Sequence, residues 1–295
     1  MSVHALARCE MPRLDTRLIC RRLRANKFGL GTFTTHARNA LDGCGKLLNN
    51  RLMIPASYWL KTDFHTLFRT RPDGRIVCEN DPDQTPGPRF WLAGCAEANL
   101  CATREDLSDG LVAELEGLAA SEPPFVHPNM PVHLERYLSL LGGDGPAEHN
   151  FGLVFKLPYG TPYQGDARLV GSDSEEGAGM MRSWATDGIP KAWFDLGFRE
   201  VADFWTPWCA AIVDGEVASL AFAARLTDTG AELGLVTAKA FRGRGFGAAA
   251  TAGWSQLPTL RSRTLFYSTD RDNVSSQRVA ARLGLRLRGA SLRIS

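Results

Sequence analysis

A glycine-rich loop with two arginines stands near the end of the sequence, as Arg242-Gly-Arg-Gly-Phe-Gly247. Residues 231–237 before the loop read as a strand, and the residues after it have apolar side chains at helical spacing. Glycines let a backbone approach an anion closely, and the free N–H groups at a helix start point toward that anion. The order strand, loop, helix therefore predicts a diphosphate site, and the two arginines add positive charge to it.

The same loop also resembles a dinucleotide-binding fingerprint, read as Gly245-x-Gly247-x-x-Ala250 with Asp270 as a ribose contact. Only 25 residues follow Asp270, which is too few for the remaining strands of a doubly wound sheet. The elements before the loop also read as hairpins and not as a βαβ unit. A dinucleotide-binding fold is therefore not expected.

A second motif lies downstream, where Asn273-x-x-Ser276-x-x-Val279-x-x-Arg282-Leu-Gly-Leu285 follows a strand-like segment at 265–269. Asn273 can cap the start of a helix, and Gly284 suits the left-handed position after its last turn. Together the two motifs resemble the GNAT superfamily of N-acetyltransferases, whose acyl-CoA loop has the form Arg/Gln-x-x-Gly-x-Gly/Ala. The resemblance covers Cys209 to the C-terminus and extends back to helical segments near Ser174.

The resemblance implies a mixed, mostly antiparallel twisted sheet flanked by helices, with acetyl-CoA as cosubstrate. The loop amides would hold the diphosphate, and the preceding strand and the later helix would hold the pantetheine arm. The implied binding residues are Val236, Thr237, Arg242, Gly243, Arg244, Gly245, Phe246, Gly247, Ala248, Asn273 and Ser276. The side chains of Asn273 and Ser276 equally fit a plain helix cap and a plain first-turn residue.

The catalytic residues that the resemblance implies are only partly present in this sequence. Many relatives have a tyrosine one residue after the position of Val279, where it can protonate the leaving thiolate, but here that residue is Ala280. Alanine cannot donate a proton, so the acid is another group or a water, or the thiolate leaves unassisted. Tyr267 and Ser276 are the nearest candidates in sequence, and Tyr267 also fits an ordinary strand aromatic. Glu232 resembles the carboxylate that deprotonates the amine in related enzymes, although a glutamate beside a hairpin turn is also commonly a solvated strand end.

The chain has 295 residues and divides by charge and by its turn signals. Residues 1–51 carry ten Lys and Arg against three Asp and Glu, whereas residues 52–165 carry eight against fifteen. We expect a basic extension at 1–46, a smaller α/β accessory or substrate-shaping domain at 47–165 and a GNAT domain at 166–295. The Arg-rich start also resembles a transit peptide, which Glu10 and Asp15 disfavour.

Turn residues predict two hairpins, one across Pro72-Asp73-Gly74 between strands in 66–78, and one across Asp214-Gly215 between 209–213 and 217–225. Further strands are predicted at 89–94 and 151–157. Helical spacing predicts helices at 106–120, 131–141, 174–184 and 191–198.

The seven cysteines form no CxxC pair and the six histidines no HxxxH pair, so no metal site and no disulfide framework are expected. Cysteine usage favours a reducing, cytoplasmic setting. The longest apolar runs are too short for a membrane span, and no signal peptide is expected. The oligomeric state is not indicated.

These observations favour an N-acyltransferase that moves an acetyl or short acyl group from acetyl-CoA to a primary amine of a small molecule. The basic N-terminus leaves open a tRNA-dependent aminoacyl transferase, whose binding would weaken steeply with salt, although a nucleic-acid partner is not favoured. Ala280 leaves open a non-catalytic acyl-CoA-binding or interaction protein, which would bind without turnover.

Overall fold

The computed structural model of the protein describes residues 56–143 and 147–295, and the predicted extension at 1–46 lies outside them. The strands are β1 Phe68–Thr70, β2 Ile76–Glu79, β3 Phe90–Gly94, β4 Asn99–Thr103, β5 His149–Leu157, β6 Arg168–Gly171, β7 Trp208–Val213, β8 Glu216–Leu226, β9 Gly230–Thr237, β10 Thr264–Asp270 and β11 Arg286–Ile294. Strands β1 and β2 form a separate hairpin. The other nine form one sheet in the spatial order β4-β3-β11-β5-β10-β9-β8-β7-β6.

Helices cover both faces of this sheet. They are α1 Ala56–Leu67, α2 Asp109–Ser121, α3 Leu134–Leu141, α4 Glu175–Asp187, α5 Phe246–Trp254 and α6 Val274–Arg282. Short 3-10 helices lie at Lys191–Leu196, Val201–Asp203, Lys239–Phe241 and Pro258–Leu260.

Within the described sheet, the single parallel pair is β9 with β10, and all other neighbours run antiparallel. This confirms the predicted mixed, mostly antiparallel sheet flanked by helices. A parallel pair needs a crossover connection, and α5 provides it between β9 and β10. The glycine-rich loop therefore lies at the carboxyl end of β9, where the chain leaves the sheet.

Strands from the two halves of the sequence alternate in the middle of the sheet. Strand β5 lies between β10 and β11, and β11 in turn lies between β5 and β3. The predicted boundary at residue 165 therefore falls between two strands of one sheet. A division of roles between 47–165 and 166–295 stays a prediction.

Successive side chains along a strand point to opposite faces of the sheet, and each face packs against a different layer of helices. On one face, Phe266 of β10 packs against Trp59 of α1, with ring centroids 5.5 Å apart. On the opposite face, Leu265 and Tyr267 pack with α5 around the buried Trp254. Strand β10 is therefore covered on both sides, and the side chains on its two faces belong to different hydrophobic clusters.

The locally signalled elements form as predicted. Asp214 and Gly215 have φ of 52° and 80°, the left-handed pair that a two-residue hairpin turn requires. Gly74 has φ of 88° in the turn of the other hairpin. Several boundaries were wrong: β1 begins at Phe68, because Thr66 and Leu67 still belong to α1, and the helices predicted from 106 and 131 begin at Asp109 and Leu134. The helix predicted at 191–198 is a 3-10 helix, and β4, β6, β11 and α1 were not predicted.

Candidate functional site

Strands β9 and β10 separate shortly after they begin to pair. Their ladder ends at Glu232 opposite Phe266, whereas β9 stays paired with β8 as far as Thr237. Along 233–237, the β10 side of β9 therefore has no strand partner within the described sheet. Such an open edge can pair with an extended ligand through main-chain hydrogen bonds.

A cavity of about 270 Å³ occupies this fork. Its lining residues come from β9, β10 and the start of α6: Leu233, Leu235, Tyr267, Ser268, Thr269, Asp270, Asn273 and Ser276. The Ser268 hydroxyl is buried and has no hydrogen-bond partner among the described residues. A buried polar group without a partner is costly, so this hydroxyl suits a ligand that supplies one.

The glycine-rich loop leads from the fork to the start of α5. Gly243 and Gly245 have φ of 76° and 92°, and Gly245 occupies the N-cap position without a side-chain cap. The Ala248 N–H donates to the Gly245 carbonyl at 3.1 Å. The Phe246 and Gly247 N–H groups have no backbone partner within the described chain, which leaves both for an anion at this helix start.

Three arginines surround the loop. The Arg244 guanidinium lies over the rings of Phe246 and Phe241, 5.0 Å and 5.5 Å from their centroids. Arg242 Nε donates to the Thr237 carbonyl at 3.2 Å. Arg282 of α6 lies so close to Gly245 that an added Cβ there would be 2.5 Å from its Nη1. The loop therefore lies among positive charges that favour the binding of an anion.

The end of β9 is anchored to β8 by a serine. Ser219 Oγ donates to the Val236 carbonyl at 2.7 Å and contacts Thr237 Oγ1 at 2.9 Å. These contacts tie residues 236–237 to β8 where β10 no longer pairs with them. Whether these two residues pair with a ligand, as the sequence predicts, stays a prediction.

Tyr267 and the two polar residues of the second motif meet at the fork. The Tyr267 hydroxyl contacts Ser276 Oγ at 2.7 Å and donates to the Ser276 carbonyl at 3.1 Å. Asn273 Oδ1 accepts from the Ser276 N–H at 3.0 Å, so Asn273 does cap α6. Burial raises the pKa of Tyr267 to about 12, although its hydrogen bond to Ser276 opposes the shift.

Glu232 points to the other face of the sheet, the one covered by α1. It pairs directly with Phe266 of that face, and directly paired residues point to the same side. Its carboxylate is buried and forms an ion pair with Arg225. Arg225 also binds Glu79 at 2.6 Å, and Glu79 binds Arg293 at 2.7 Å.

A β-bulge in β8 creates this ion pair. Ala223 pairs with Leu233 but Arg225 pairs with Glu232, so Ala224 is an extra residue in the ladder. Without the bulge, Arg225 would point to the opposite face from Glu232. The bulge therefore directs a charged side chain onto the face where the carboxylate lies.

Asp63 of α1 is a further buried carboxyl group beside this network. It is 1% exposed, and neither of its oxygens has a hydrogen-bond partner among the described residues. Burial raises the pKa of Asp63 well above its ordinary value, the negative charge of Glu232 adds to the shift, and Arg293 and Arg225 partly oppose it. The two arginines are already balanced by Glu79 and Glu232, which leaves Asp63 without a counterion.

We expect Asp63→Asn to change stability in a pH-dependent way. Because the pKa of Asp63 is raised in the folded state, its contribution to stability is full at low pH and is lost as pH rises through the folded pKa. Asparagine is neutral throughout, so the variant should gain stability relative to wild type as pH rises. The difference in stability between variant and wild type is measured from urea unfolding midpoints at pH 5 and pH 8. An equal difference at the two pH values would contradict the assignment.

The structure thus places the predicted residues in two groups. Tyr267, Asn273 and Ser276 share the fork cavity next to the loop, whereas Glu232 lies on the α1 face. The sequence analysis missed Ser268, which carries no distinguishing pattern. It also missed Asp63, which lies on the apolar face of α1 between Leu60 and Phe64. Helical spacing of the apolar residues would have shown a carboxylate at this buried position.

Two searches of the described residues found nothing. Among them, no helix combines the length and apolar character of a membrane-crossing segment. They also contain no group of three or more His, Cys, Asp or Glu residues placed to hold a metal ion.

Several solved structures are similar to this chain at low sequence identity. An acetyltransferase of the GNAT family from Novosphingobium aromaticivorans is 20% identical, with a TM-score of 0.34 over 50% of this chain and 64% of that chain. GNAT proteins from Kribbella flavida and Colwellia psychrerythraea are each 14% identical and each align with 81% of this chain. These two alignments cover 93% and 95% of those chains, with TM-scores of 0.39 and 0.37.

No curated protein matches the sequence. The family model described as acetyltransferase (GNAT) domain matches residues 170–286, from the end of β6 to the beginning of β11. This segment contains both sequence motifs, the fork and α5. The chain therefore carries a GNAT acetyltransferase domain at residues 170–286, as its two motifs predicted.

Proposed function

We propose that the protein is an N-acyltransferase that moves an acetyl or short acyl group from acetyl-CoA to a primary amine of a small molecule. The observation that carries this proposal is the fork cavity, which opens beside a loop with two free N–H groups inside a GNAT domain. A long thioester substrate with an anionic end fits such a site. A cytoplasmic location stays a prediction from the cysteines.

The proposed binding mode uses the two parts of the site differently. The N–H groups of Phe246 and Gly247, with the surrounding arginines, would bind the diphosphate. The open edge of 233–237 would pair with the pantetheine arm, as its amide groups match those of a strand. The unpartnered Ser268 hydroxyl would bind a polar group of that arm.

The proposed reaction takes place at the fork, with the base on one face of the sheet and the acid on the other. Glu232 would accept a proton from the ammonium form of the acceptor on the α1 face, since a protonated amine is not a nucleophile. The amine nitrogen then bonds to the acyl carbon as the carbon–sulfur bond breaks. Tyr267 would protonate the departing thiolate from the α5 face, and the second proton that the nitrogen loses on becoming an amide would replace the one given by the Tyr267 oxygen.

Two features of the site support these roles. The ion pair with Arg225 holds the Glu232 carboxylate on the α1 face, where the acceptor amine would approach it. The Tyr267 hydroxyl lies at the fork beside Ser276 and, with its pKa raised by burial to about 12, is protonated at neutral pH. Ala280 of α6 is fully buried in the core and has no side-chain proton to donate.

The test of the proposed function is Glu232→Gln in an assay of thiol release from acetyl-CoA. Glutamine keeps the size of the side chain and removes its basicity, so we expect the maximal rate to fall about a hundredfold. Acetyl-CoA affinity should be unchanged. At higher pH the variant should partly recover, because more of the acceptor amine is already neutral.

The matched control is Glu216→Gln, which removes an exposed carboxylate from the start of β8. It should keep the wild-type rate and pH profile. A Glu232→Gln variant with the wild-type rate and profile would remove Glu232 from the mechanism. Failure of acetyl-CoA to bind at millimolar concentration by calorimetry would overturn the proposed function itself. Binding without turnover of any amine would favour the non-catalytic alternative.

A further inference from the structure

A second cleft, of about 380 Å³, lies on the sheet face that carries Glu232. The β1–β2 hairpin forms one wall through Arg69, Asn80 and Asp81, and the chain before β7 forms the other through Phe204 and Trp205. Residues 223–226 of β8 form its floor. We refer to this space as the hairpin cleft. Its volume falls in the range of small-molecule sites.

The hairpin cleft is one side chain away from the proposed base. Arg225 lines the cleft and also binds the Glu232 carboxylate. The bulge at Ala224 lies in the floor, and this same bulge brings Arg225 and Glu232 to one face. A molecule in the cleft therefore lies on the side of the sheet from which an acceptor would reach Glu232.

The Arg69 guanidinium in the hairpin cleft forms no ion pair with a described residue. Arg225 is balanced by Glu79 and Glu232, and the Asp81 carboxylate already accepts the Thr85 N–H and hydroxyl at 3.0 Å and 2.5 Å. The only hydrogen bond of the Arg69 guanidinium within the described residues is from Nε to Asn80 Oδ1, at 3.3 Å. Both terminal nitrogens of Arg69 are therefore available for an anion.

The opposite wall is aromatic. Phe204 is buried, and Trp205 is held by an edge-on contact with Phe222, with ring centroids 5.8 Å apart. A fixed indole offers an apolar surface for the body of a ligand. The cleft thus combines an apolar wall, a planar guanidinium group that can bind a carboxylate through two N–H groups, and a nearby base.

We propose that the hairpin cleft binds the acceptor, and that the acceptor is an amino-acid-like amine with an apolar body and a carboxylate. Arg69 binds the carboxylate, Trp205 packs against the body, and the amine faces Glu232. This inference rests on the proposed acyltransferase function and adds the class of acceptor and its specificity-determining residue.

The test compares matched amines that differ by one carboxylate: phenylalanine with phenethylamine, tyrosine with tyramine, and tryptophan with tryptamine. Thiol release from acetyl-CoA is measured for wild type, Arg69→Gln and Arg71→Gln. Arg71 is the control, because it belongs to the same hairpin but forms salt bridges with Asp73 and Glu105. Acetyl-CoA affinity is measured for all three proteins.

We expect wild type to prefer the carboxylate-bearing amine in at least one pair by about tenfold or more in kcat/KM, the scale of one charge-assisted hydrogen bond. Arg69→Gln should lose that preference through a higher KM, while Arg71→Gln keeps it. Acetyl-CoA affinity should be the same in all three proteins.

The inference is overturned, and the proposed function kept, if carboxyl-free amines are used as well or better, or if Arg69→Gln retains the preference. Release of thiol with none of the six amines, while acetyl-CoA binds, also overturns the acceptor class. Absence of acetyl-CoA binding marks the separate failure of the proposed function.

Discussion

A fragment of residues 166–295 expressed alone is expected neither to fold cooperatively nor to bind acetyl-CoA. In the complete sheet, β10 has β5 as its partner on one side, and β11 lies between β5 and β3. Both β3 and β5 precede residue 166, so the fragment would leave β11 without a strand partner. Phe266 would also lose Trp59 of α1 and expose a buried aromatic ring.

The control for this experiment is a fragment of residues 56–295, which keeps every strand of the sheet and α1. It should unfold in one cooperative urea transition and bind acetyl-CoA by calorimetry. Circular dichroism, the urea transition and calorimetry are applied to both fragments. If residues 166–295 alone unfold cooperatively and bind acetyl-CoA as tightly as 56–295, the interleaved sheet is not required for the site.

Gly245→Val is expected to weaken acetyl-CoA binding by about a hundredfold, the scale of losing one or two hydrogen bonds to a charged group. Gly245 has φ of 92°, which a β-branched residue adopts only with strain. A Cβ at this position would also lie 2.5 Å from Arg282 Nη1 and 2.7 Å from its Cζ. Both effects move the loop away from the geometry that presents its N–H groups.

Gly247→Ala should have a much smaller effect. A Cβ there would be 3.4 Å from both Leu235 and Thr237 side-chain atoms, close to ordinary contact. Gly179→Ala on α4 serves as a distant control, because its nearest neighbour would be Arg182 at 3.8 Å. Affinities come from calorimetry, with the fold checked by circular dichroism. Equal affinity of Gly245→Val and Gly179→Ala would contradict the assigned loop.

The superfamily pattern has glycine at the position of Gly245 and glycine or alanine at that of Gly247, and the structure gives the physical reason. Only Gly245 has a left-handed backbone and a guanidinium against its α-carbon. The requirement for glycine at one position comes from Arg282, a residue of another helix. Sequence spacing carries no information about that contact.

Local chemistry by itself determined several elements of the protein. The Asp214-Gly215 turn, the Asn273 cap and Gly284 with φ of 62° depend on residues that are neighbours in sequence. Their backbone preferences are properties of the residues themselves, so a pattern over a few positions is enough to predict them. The same holds for the glycine-rich loop between a strand and a helix.

Tertiary structure alone decided how the strands pair and which charges meet. Strand β11 was not predicted because its glycine, serine and arginines hide the alternation that marks a half-buried strand. Its neighbours β3 and β5 are distant in sequence, and hydrogen bonds between strands leave no local pattern. The Arg225–Glu232 ion pair depends on a single extra residue at Ala224, and a shift of one position reverses the face to which every following side chain points.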